Sequence, residues 1–367
     1  MKICYLSNSA IPSDYASSIQ IVKMCEAFTS LGNKVQLVTR GGGKNQSVFK
    51  YYDVNFKFTI KFLKNFKTFP LGIKYYLFSI VSIYESLKFK PEIYITRNFF
   101  TCFLLTLLKK KVILELHDSL DSESRIVKFL IKNFKYLNSN HIKKIIAITH
   151  EVKNIYKNKY LVSEDKILVL ASGSSLKKNF IFKNYKQHFK IGYFGALNAS
   201  RGLNIIKDLA KIDKGNKYYL YGNIKKLKNQ KKYRFIKNLY LHDYVPYKEI
   251  SKALSKMDIL LMPYASSTPV VGIGNPNFTS PLKLFDYLSA GKIIICSDLE
   301  ILRESIKDKK NAIFIRNFTN IYSWKNEIHK LKNQPYKQLI ISKNNYRLSK
   351  NYSLNHRAKK ILNEINF

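Results

Sequence analysis

The sequence predicts an α/β protein of two domains, each a parallel sheet built from repeated strand–helix–strand units. Three observations carry that expectation. At 367 residues the chain exceeds what one core usually organises. Short apolar runs alternate with stretches of helical periodicity, the grammar of βαβ units. That grammar breaks over Ala171–Lys186 (ASGSSLKKNFIFKNYK) and restarts at Lys190.

The elements follow in order. Lys2–Ser7 (KICYLS) reads as a buried strand, Ile19–Leu31 as a helix stopped by Gly32, and Lys34–Thr39 (KVQLVT) as the next strand. Glu92–Thr96 (EIYIT), Val112–Leu116 (VILEL, running into His117), Lys144–Ile148 and Ile167–Leu170 are further strands, with helical segments between them. In the second half, Lys190–Gly195 (KIGYFG) is a strand entering a loop, and Leu203–Ile212 is helical. Lys217–Gly222 is a strand, Lys248–Lys256 a helix and Asp258–Met262 (DILLM) a strand. Thr279–Asp298 (TSPLKLFDYLSAGKIIICSD) supplies a helix and then a strand. The tail, Ser342–Ile365, reads as helix with charge throughout. The expected divisions are 1–175, 186–340 and a closing segment, 341–367.

Composition removes several function classes. Cys4, Cys25, Cys102 and Cys296 form no CxxC pair and lie in apolar surroundings. A zinc site and a disulfide frame are therefore not expected, and a reducing cytoplasm is. MKICYLSNS is too short and too soon polar for a signal peptide. The longest nearly uncharged run, Tyr75–Tyr84, falls short of the roughly 20 residues that span a bilayer. The formal charge of +40 draws polyanions to the surface, although abundant Lys, Asn and Ile also fit plain compositional bias. The loop after the first strand, NSAIPSDYASSIQ, has no glycine, so the dinucleotide-binding fingerprint is missing. The P-loop signature is missing too.

The richest stretch is Thr279–Asp298. Ser280 is suited to cap a helix and Pro281 to be its first residue. The N–H groups of Leu282 and Lys283 are then free at the positive end of the helix dipole, an arrangement that favours a phosphate. Leu284, Phe285 and Leu288 face the core, Asp286 shares a face with Lys283, and Gly291 ends the helix. A carboxylate beside a phosphate site makes sense if it accepts from the hydroxyls of a ribose. These residues are read equally well as an ordinary capped helix with a surface Lys–Asp pair.

SPLKLFDYLSAGKIIICSD resembles the sugar-donor segment of the retaining glycosyltransferases of family 4. Other pieces resemble that family in the same order: Leu114–Ser119 (LELHDS), IIAITHEVKNIY with KILVLASG, Ile191–Leu203 (IGYFGALNASRGL), Tyr240–Tyr264, and YSLNHRAKKILNEI. The resemblance covers almost the whole chain. It implies the GT-B fold, two facing Rossmann-like domains with a C-terminal helix crossing back to the first. It assigns the acceptor to the first domain and a nucleotide sugar, UDP- or GDP-linked, to the second. Lys283 and Arg201 would hold the diphosphate, with Gly195, Ser280 and the Leu282 amide around it. Asp286 would accept from the ribose, Val245 and Pro246 would border the base, and His117 would face the donor sugar. Retention without a protein nucleophile, and without a metal cofactor, is implied.

Three departures from the family pattern stand out. Asp286 is one methylene shorter than the usual second glutamate, and Phe278 stands where the first is usual. Ala16, Ser17 and Ser18 replace common glycines. Ala196 stands near an often basic position.

His117, Asp118, Asp121 and Glu123 could be read as a metal cluster, but a lone histidine beside exposed acids is usually a helix-start segment. Phe56–Tyr76 and Arg125–Lys144 interleave lysine with aromatic and aliphatic residues. Either they are amphipathic helices with solvated lysines, or they rest on an anionic membrane surface. The second reading puts the protein on the cytoplasmic face of the membrane with a lipid-linked glycan as acceptor. A basic nucleic-acid-binding protein is the alternative that the charge and aromatics suggest, but the basic residues are spread and form no recognisable reading module, so no nucleic-acid partner is expected. A nucleotide-sugar epimerase of the same fold is the other enzyme reading.

Overall fold

The computed structural model describes residues 1–42, 47–63, 70–176, 188–227, 229–264 and 280–365. The segment Ala265–Thr279 with Phe278, the joint beyond residue 176 and positions 64–69 of the Phe56–Tyr76 stretch lie outside the described residues. Among the described residues, 1–173, 280 and 354–365 form one compact unit, and 174–264 with 281–353 form another.

The first unit contains β1 (Lys2–Ile11), α1 (Ala16–Ser30), β2 (Lys34–Gly41), α2 (Val48–Tyr51), β3 (Thr59–Leu63), α3 (Leu71–Leu87) and β4 (Ile93–Thr96). It continues through α4 (Phe99–Leu107), β5 (Val112–Leu116), α5 (Arg125–Phe134), β6 (Ile142–Ala147), α6 (His150–Asn158) and β7 (Ile167–Val169). Its sheet runs β3-β2-β1-β4-β5-β6-β7, parallel throughout.

The second unit contains β8 (Lys190–Phe194), α7 (Leu203–Ile212), β9 (Lys217–Tyr221), α8 (Lys231–Arg234), β10 (Leu239–His242), α9 (Tyr247–Ser255) and β11 (Ile259–Met262). There follow α10 (Leu282–Ser289), β12 (Ile293–Ser297), α11 (Glu300–Arg303), β13 (Ala312–Ile315), α12 (Ile321–Lys332) and α13 (Pro335–Leu348). Its sheet runs β10-β9-β8-β11-β12-β13, again all parallel. Both orders are Rossmann-like. The strand order reverses between β1 and β4 in one sheet and between β8 and β11 in the other, where such sheets bind ligands.

Burial explains why these runs are strands. A parallel sheet covered on both faces calls for continuous apolar strands rather than alternating ones. Ile259–Met262 and Ile293–Cys296 have no solvent exposure at any position. Trp324 on α12 fills the second core and donates its indole N–H to the Phe318 carbonyl at 2.9 Å.

The expected tail helix is interrupted. α13 stays with the second unit, whereas α14 (Leu354–Asn363) belongs to the first and packs against α1. The break at 349–353 has other work: the Tyr352 carbonyl accepts from the Ser174 amide at 2.9 Å, and its ring lies 4.8 Å from that of Phe285. The Phe56–Tyr76 stretch is not one amphipathic helix either. Its described part is strand β3 at the sheet edge and the first turns of α3.

Candidate functional site

Two polar clusters stand at the C-terminal ends of the strands, one in each unit. In the second unit the site begins where β8 ends. The Phe194 amide donates to the Tyr287 hydroxyl at 2.9 Å, and the Gly195 amide to the Tyr221 carbonyl at 2.9 Å. Gly195 has φ of +143°, a conformation side chains avoid, and a Cβ there would stand 3.1 Å from Lys283 Nζ. Its missing side chain is what lets the lysine approach the loop.

Lys283 lies in the first turn of α10, partly buried. Its Nζ donates to the Tyr193 hydroxyl at 3.1 Å and lies 4.4 Å from the Tyr193 ring centroid and 5.8 Å from that of Tyr264. The Arg201 guanidinium lies 5.3 Å from the same Tyr264 ring. Arg201 is carried there by the turn Ala199–Arg201, where Asn198 Oδ1 accepts from the Arg201 amide at 3.1 Å. Two cations thus share one aromatic ring, and among the described residues no carboxylate pairs with either. Burial, and then the charge of Arg201, push the Lys283 ammonium down to about 7. The rings offset part of that strain by cation–π attraction.

The surface Lys–Asp pair does not form. Asp286 Oδ1 accepts instead from the Ser174 hydroxyl at 2.6 Å. Burial raises its carboxyl to about 7, against the pull of that hydrogen bond. Ser280 is not the helix cap: its hydroxyl accepts from the Ser172 amide at 2.8 Å, and Pro281 holds the cap position with no side-chain hydrogen bond. The amides of Leu282 and Lys283 have no partner among the described residues, as the sequence predicted, but without a serine beneath them. Val245 is half-buried and Pro246 exposed, in the turn between β10 and α9.

An aromatic tier that sequence reading missed lies beside this site. Phe194 stacks on Tyr221 with centroids 4.3 Å apart, and Tyr221 on His242 at 4.5 Å. The three are register neighbours at the ends of β8, β9 and β10. The signal was an aromatic or histidine ending each strand. Tyr193 and Tyr264 were missed for a different reason: each reads as a strand-end core residue until the fold sets it under a cation.

In the first unit, His117 follows β5 and its Nε2 lies 2.7 Å from Glu115 Oε1. The buried Glu115 also faces Arg97 Nη2 at 2.9 Å and Arg357 Nη2 at 3.1 Å, and accepts from the Tyr5 hydroxyl at 3.3 Å. Burial alone would raise the Glu115 carboxyl, but the two guanidiniums and His117 hold it well below the usual range. Burial, and then Arg97, lower His117 to about 4. Asp121 is engaged by the Ser119 hydroxyl and Lys159. Among the described residues, no three His, Cys, Asp or Glu side chains converge as metal ligands.

Residues 174–348 match the family described as glycosyl transferases group 1, and residues 18–177 match the one described as glycosyltransferase family 4. No curated protein matches the sequence. Among solved structures the chain is similar to HepE from Anabaena in complex with UDP and glucose (TM-score 0.72, 12% identity, 99% of each chain covered). It is similar to a glycosyltransferase from Rickettsia africae (TM-score 0.71, 15% identity, 99% of this chain and 96% of that one). It is also similar to the lipopolysaccharide outer core galactosyltransferase WaaB in its apo form (TM-score 0.64, 16% identity, 100% of this chain and 99% of that one). At these identities the structural likeness speaks for the fold.

Proposed function

We propose a function from one premise: the chain belongs to the glycosyltransferases of group 1 and family 4, enzymes of the GT-B architecture. It moves a sugar from a nucleoside-diphosphate sugar, UDP- or GDP-linked, to a lipid-linked glycan in surface polysaccharide or lipopolysaccharide synthesis, with retention at the anomeric carbon. The supporting observation is the pair Arg201 and Lys283, crowded over Tyr264 without an acidic partner among the described residues, beside the open amides of α10. A diphosphate supplies the missing negative charge. As the glycosidic bond breaks, charge develops on that diphosphate, and fixed cations at its position lower the barrier. The likeness of fold to HepE, whose structure contains UDP, favours UDP. The reaction needs no metal in this reading, since the two cations and the helix start do a metal's electrostatic work.

The other roles follow the same reading. Asp286 exchanges Ser174 for the ribose hydroxyls, Val245 and Pro246 edge the base, and His117 meets the sugar. The first unit carries the acceptor side and the second the nucleotide sugar. The test is a thermal-shift screen of the protein against UDP-, GDP-, ADP- and CMP-sugars and the free nucleotides. A saturable rise with one nucleotide, lost in Lys283→Met, is expected. No rise with any of them would remove the reading. Consumption of nucleotide sugar to an isomerised product without any acceptor would replace transfer by epimerisation.

Binding must also move a proton. At pH 8 the free Lys283 is mostly neutral, whereas a bound diphosphate favours its charged form. Asp286, raised to about 7, is mostly ionised there and exchanges little, and a diphosphate diester has no proton of its own to exchange in this range. The complex therefore takes up close to one proton at pH 8. Calorimetry in buffers of different ionisation enthalpy reads this directly, and the uptake vanishes in Lys283→Met. Affinity falls up to tenfold per pH unit above about 7.

The protein works at the cytoplasmic face of the membrane in this reading. No helix of the described residues is long and apolar enough to cross a bilayer. On α3, Ile73, Ile80, Tyr84 and Leu87 are exposed along one stripe, and on α5, Ile126 and Phe129 are exposed beside Lys128 and Lys132. Basic and apolar residues interleaved in this way suit anionic lipid. Co-sedimentation with vesicles rich in anionic lipid is expected, with loss on neutral vesicles, in high salt and in Ile126→Ser/Phe129→Ser. Equal sedimentation of that variant would exclude α5 from the contact.

A further inference from the structure

We propose that Glu115, clamped by Arg97 and Arg357, is a positioning residue that fixes the single proton of the neutral His117 imidazole on Nε2, so that Nδ1 presents a lone pair to a hydroxyl of the sugar. This rests on the reading above that His117 meets the sugar, and it adds which atom does so and in which role.

The tautomer follows from what Glu115 can do. Its carboxylate faces two guanidiniums, Arg97 at 2.9 Å and Arg357 at 3.1 Å, both on Oε1. Two adjacent cations keep a carboxylate ionised, and an ionised carboxylate only accepts. Tyr5 Oη donates to Oε2. The contact between His117 Nε2 and Oε1 at 2.7 Å must therefore carry its hydrogen on the histidine. A second ring proton would add a third cation to a crowded, largely buried cluster, and that environment resists it. The neutral ring is left with one acceptor atom, Nδ1. That atom takes no hydrogen bond among the described residues, and the side chain keeps 31% of its surface exposed.

The place fits the role. His117 follows β5 directly, at the C-terminal end of a parallel strand, where such sheets bind ligands. An acceptor-only nitrogen selects a hydrogen-bond donor, and a sugar offers hydroxyls. Arg357 gives the clamp its reach: it comes from α14, and its Nη1 also donates to the Leu170 carbonyl at 2.7 Å and the Ala171 carbonyl at 3.2 Å. Arg97 is steadied separately, its Nε donating to Tyr5 Oη at 3.1 Å. The ring is thus oriented from three separate parts of the first unit.

Two measurements on the full chain test this. The first is nitrogen NMR with labelled histidine, the His117 signals being assigned by their loss in His117→Asn. The expected spectrum at pH 7 has Nε2 protonated and Nδ1 bare, and stays neutral to about pH 5. In Glu115→Gln a carboxamide can offer N–H as well as C=O, so the two tautomers mix. A wild-type ring protonated on Nδ1, or on both nitrogens, would overturn the proposal whatever the activity.

The second measurement is the slow hydrolysis of whichever nucleotide sugar gives the largest thermal shift. Asparagine puts its amide oxygen where Nδ1 stands, whereas glutamine reaches toward Nε2. His117→Asn is expected within about tenfold of wild type, and His117→Gln and His117→Ala at least about a hundredfold down, in line with loss of a catalytic hydrogen bond. Equal losses in Asn and Gln would sink the acceptor role while leaving His117 in the site. Full activity in Ala would remove His117 from the sugar, and the fault would then lie with the site reading rather than with the tautomer.

Discussion

Lys283→Met is expected to lower affinity for the nucleotide sugar and turnover together by on the order of a hundredfold or more, while the melting temperature at pH 7 holds steady or rises. The combination is the diagnostic part. A lysine that serves the fold is stabilising, and its loss lowers the melting temperature. Lys283 is instead held where burial and Arg201 oppose its charge. Its folded value lies below the unfolded one, so the unfolded chain binds more protons between about 7 and 10.5. Stability therefore rises with pH across that window, and below about 7 the full penalty remains. Methionine fills similar volume without the charge and removes the penalty. Arg201→Ala is expected to lose binding as well, and it carries a second signature. With the neighbouring charge gone, the free Lys283 titrates higher, and proton uptake on binding at pH 8 shrinks. A melting temperature lowered by many degrees in Lys283→Met, with binding kept, would make the lysine structural and leave the helix start without a ligand.

How much of this site was legible follows from how far apart its partners are in the chain. The helix start at Leu282, the lysine in its first turn and the glycine that ends it are local facts, and the residues state them. The partners are not local. Lys283 meets Tyr193 at a separation of 90 residues, Asp286 meets Ser174 at 112, and the Ser280 hydroxyl is taken by an amide 108 residues away. The expected cap, and the Lys–Asp pair of the plainer reading, both gave way because a distant group competed and won. Arg97 and Arg357 are the sharper case. Either is one basic residue among 64, and only the parallel strand order and the return of α14 bring both onto Glu115. Central strands were legible because two-sided burial demands unbroken apolar runs. The edge strands β3 (TIKFL) and β10 (LYLH) were missed because an edge tolerates lysine and histidine, whereas the edge strand β13 (AIFI) was missed although it is apolar throughout.

Gly202→Ala is expected to damage fold and site at once. Gly202 joins the turn that carries Arg201 to α7, and its φ of +76° already disfavours a side chain. The steric conflict is more severe still. A Cβ there would stand 1.4 Å from the Pro263 carbonyl oxygen and 2.5 Å from its carbon. Pro263 directly follows β11, whose four residues are fully buried in the middle of the sheet. The carbonyl is therefore the fixed partner, and the turn bearing Arg201 must retreat by on the order of 2 Å. Losses of about 3 kcal/mol or more belong to this kind of backbone conflict, which for a unit of this size lowers the melting temperature by roughly 6–12 °C. The displacement matters more for function, since about 1 Å of misplacement can cost a hundredfold. Binding of nucleotide sugar, measured well below the lowered transition, should fall at least as far as in Arg201→Ala. Gly215→Ala is the matched control: its nearest neighbour would be the flexible end of Lys332 at 3.6 Å, and stability should stay within about 0.5 kcal/mol. If Gly202→Ala melts early yet binds normally, Arg201 does not hold the diphosphate, and the cation pair over Tyr264 would have to be explained by something other than a ligand.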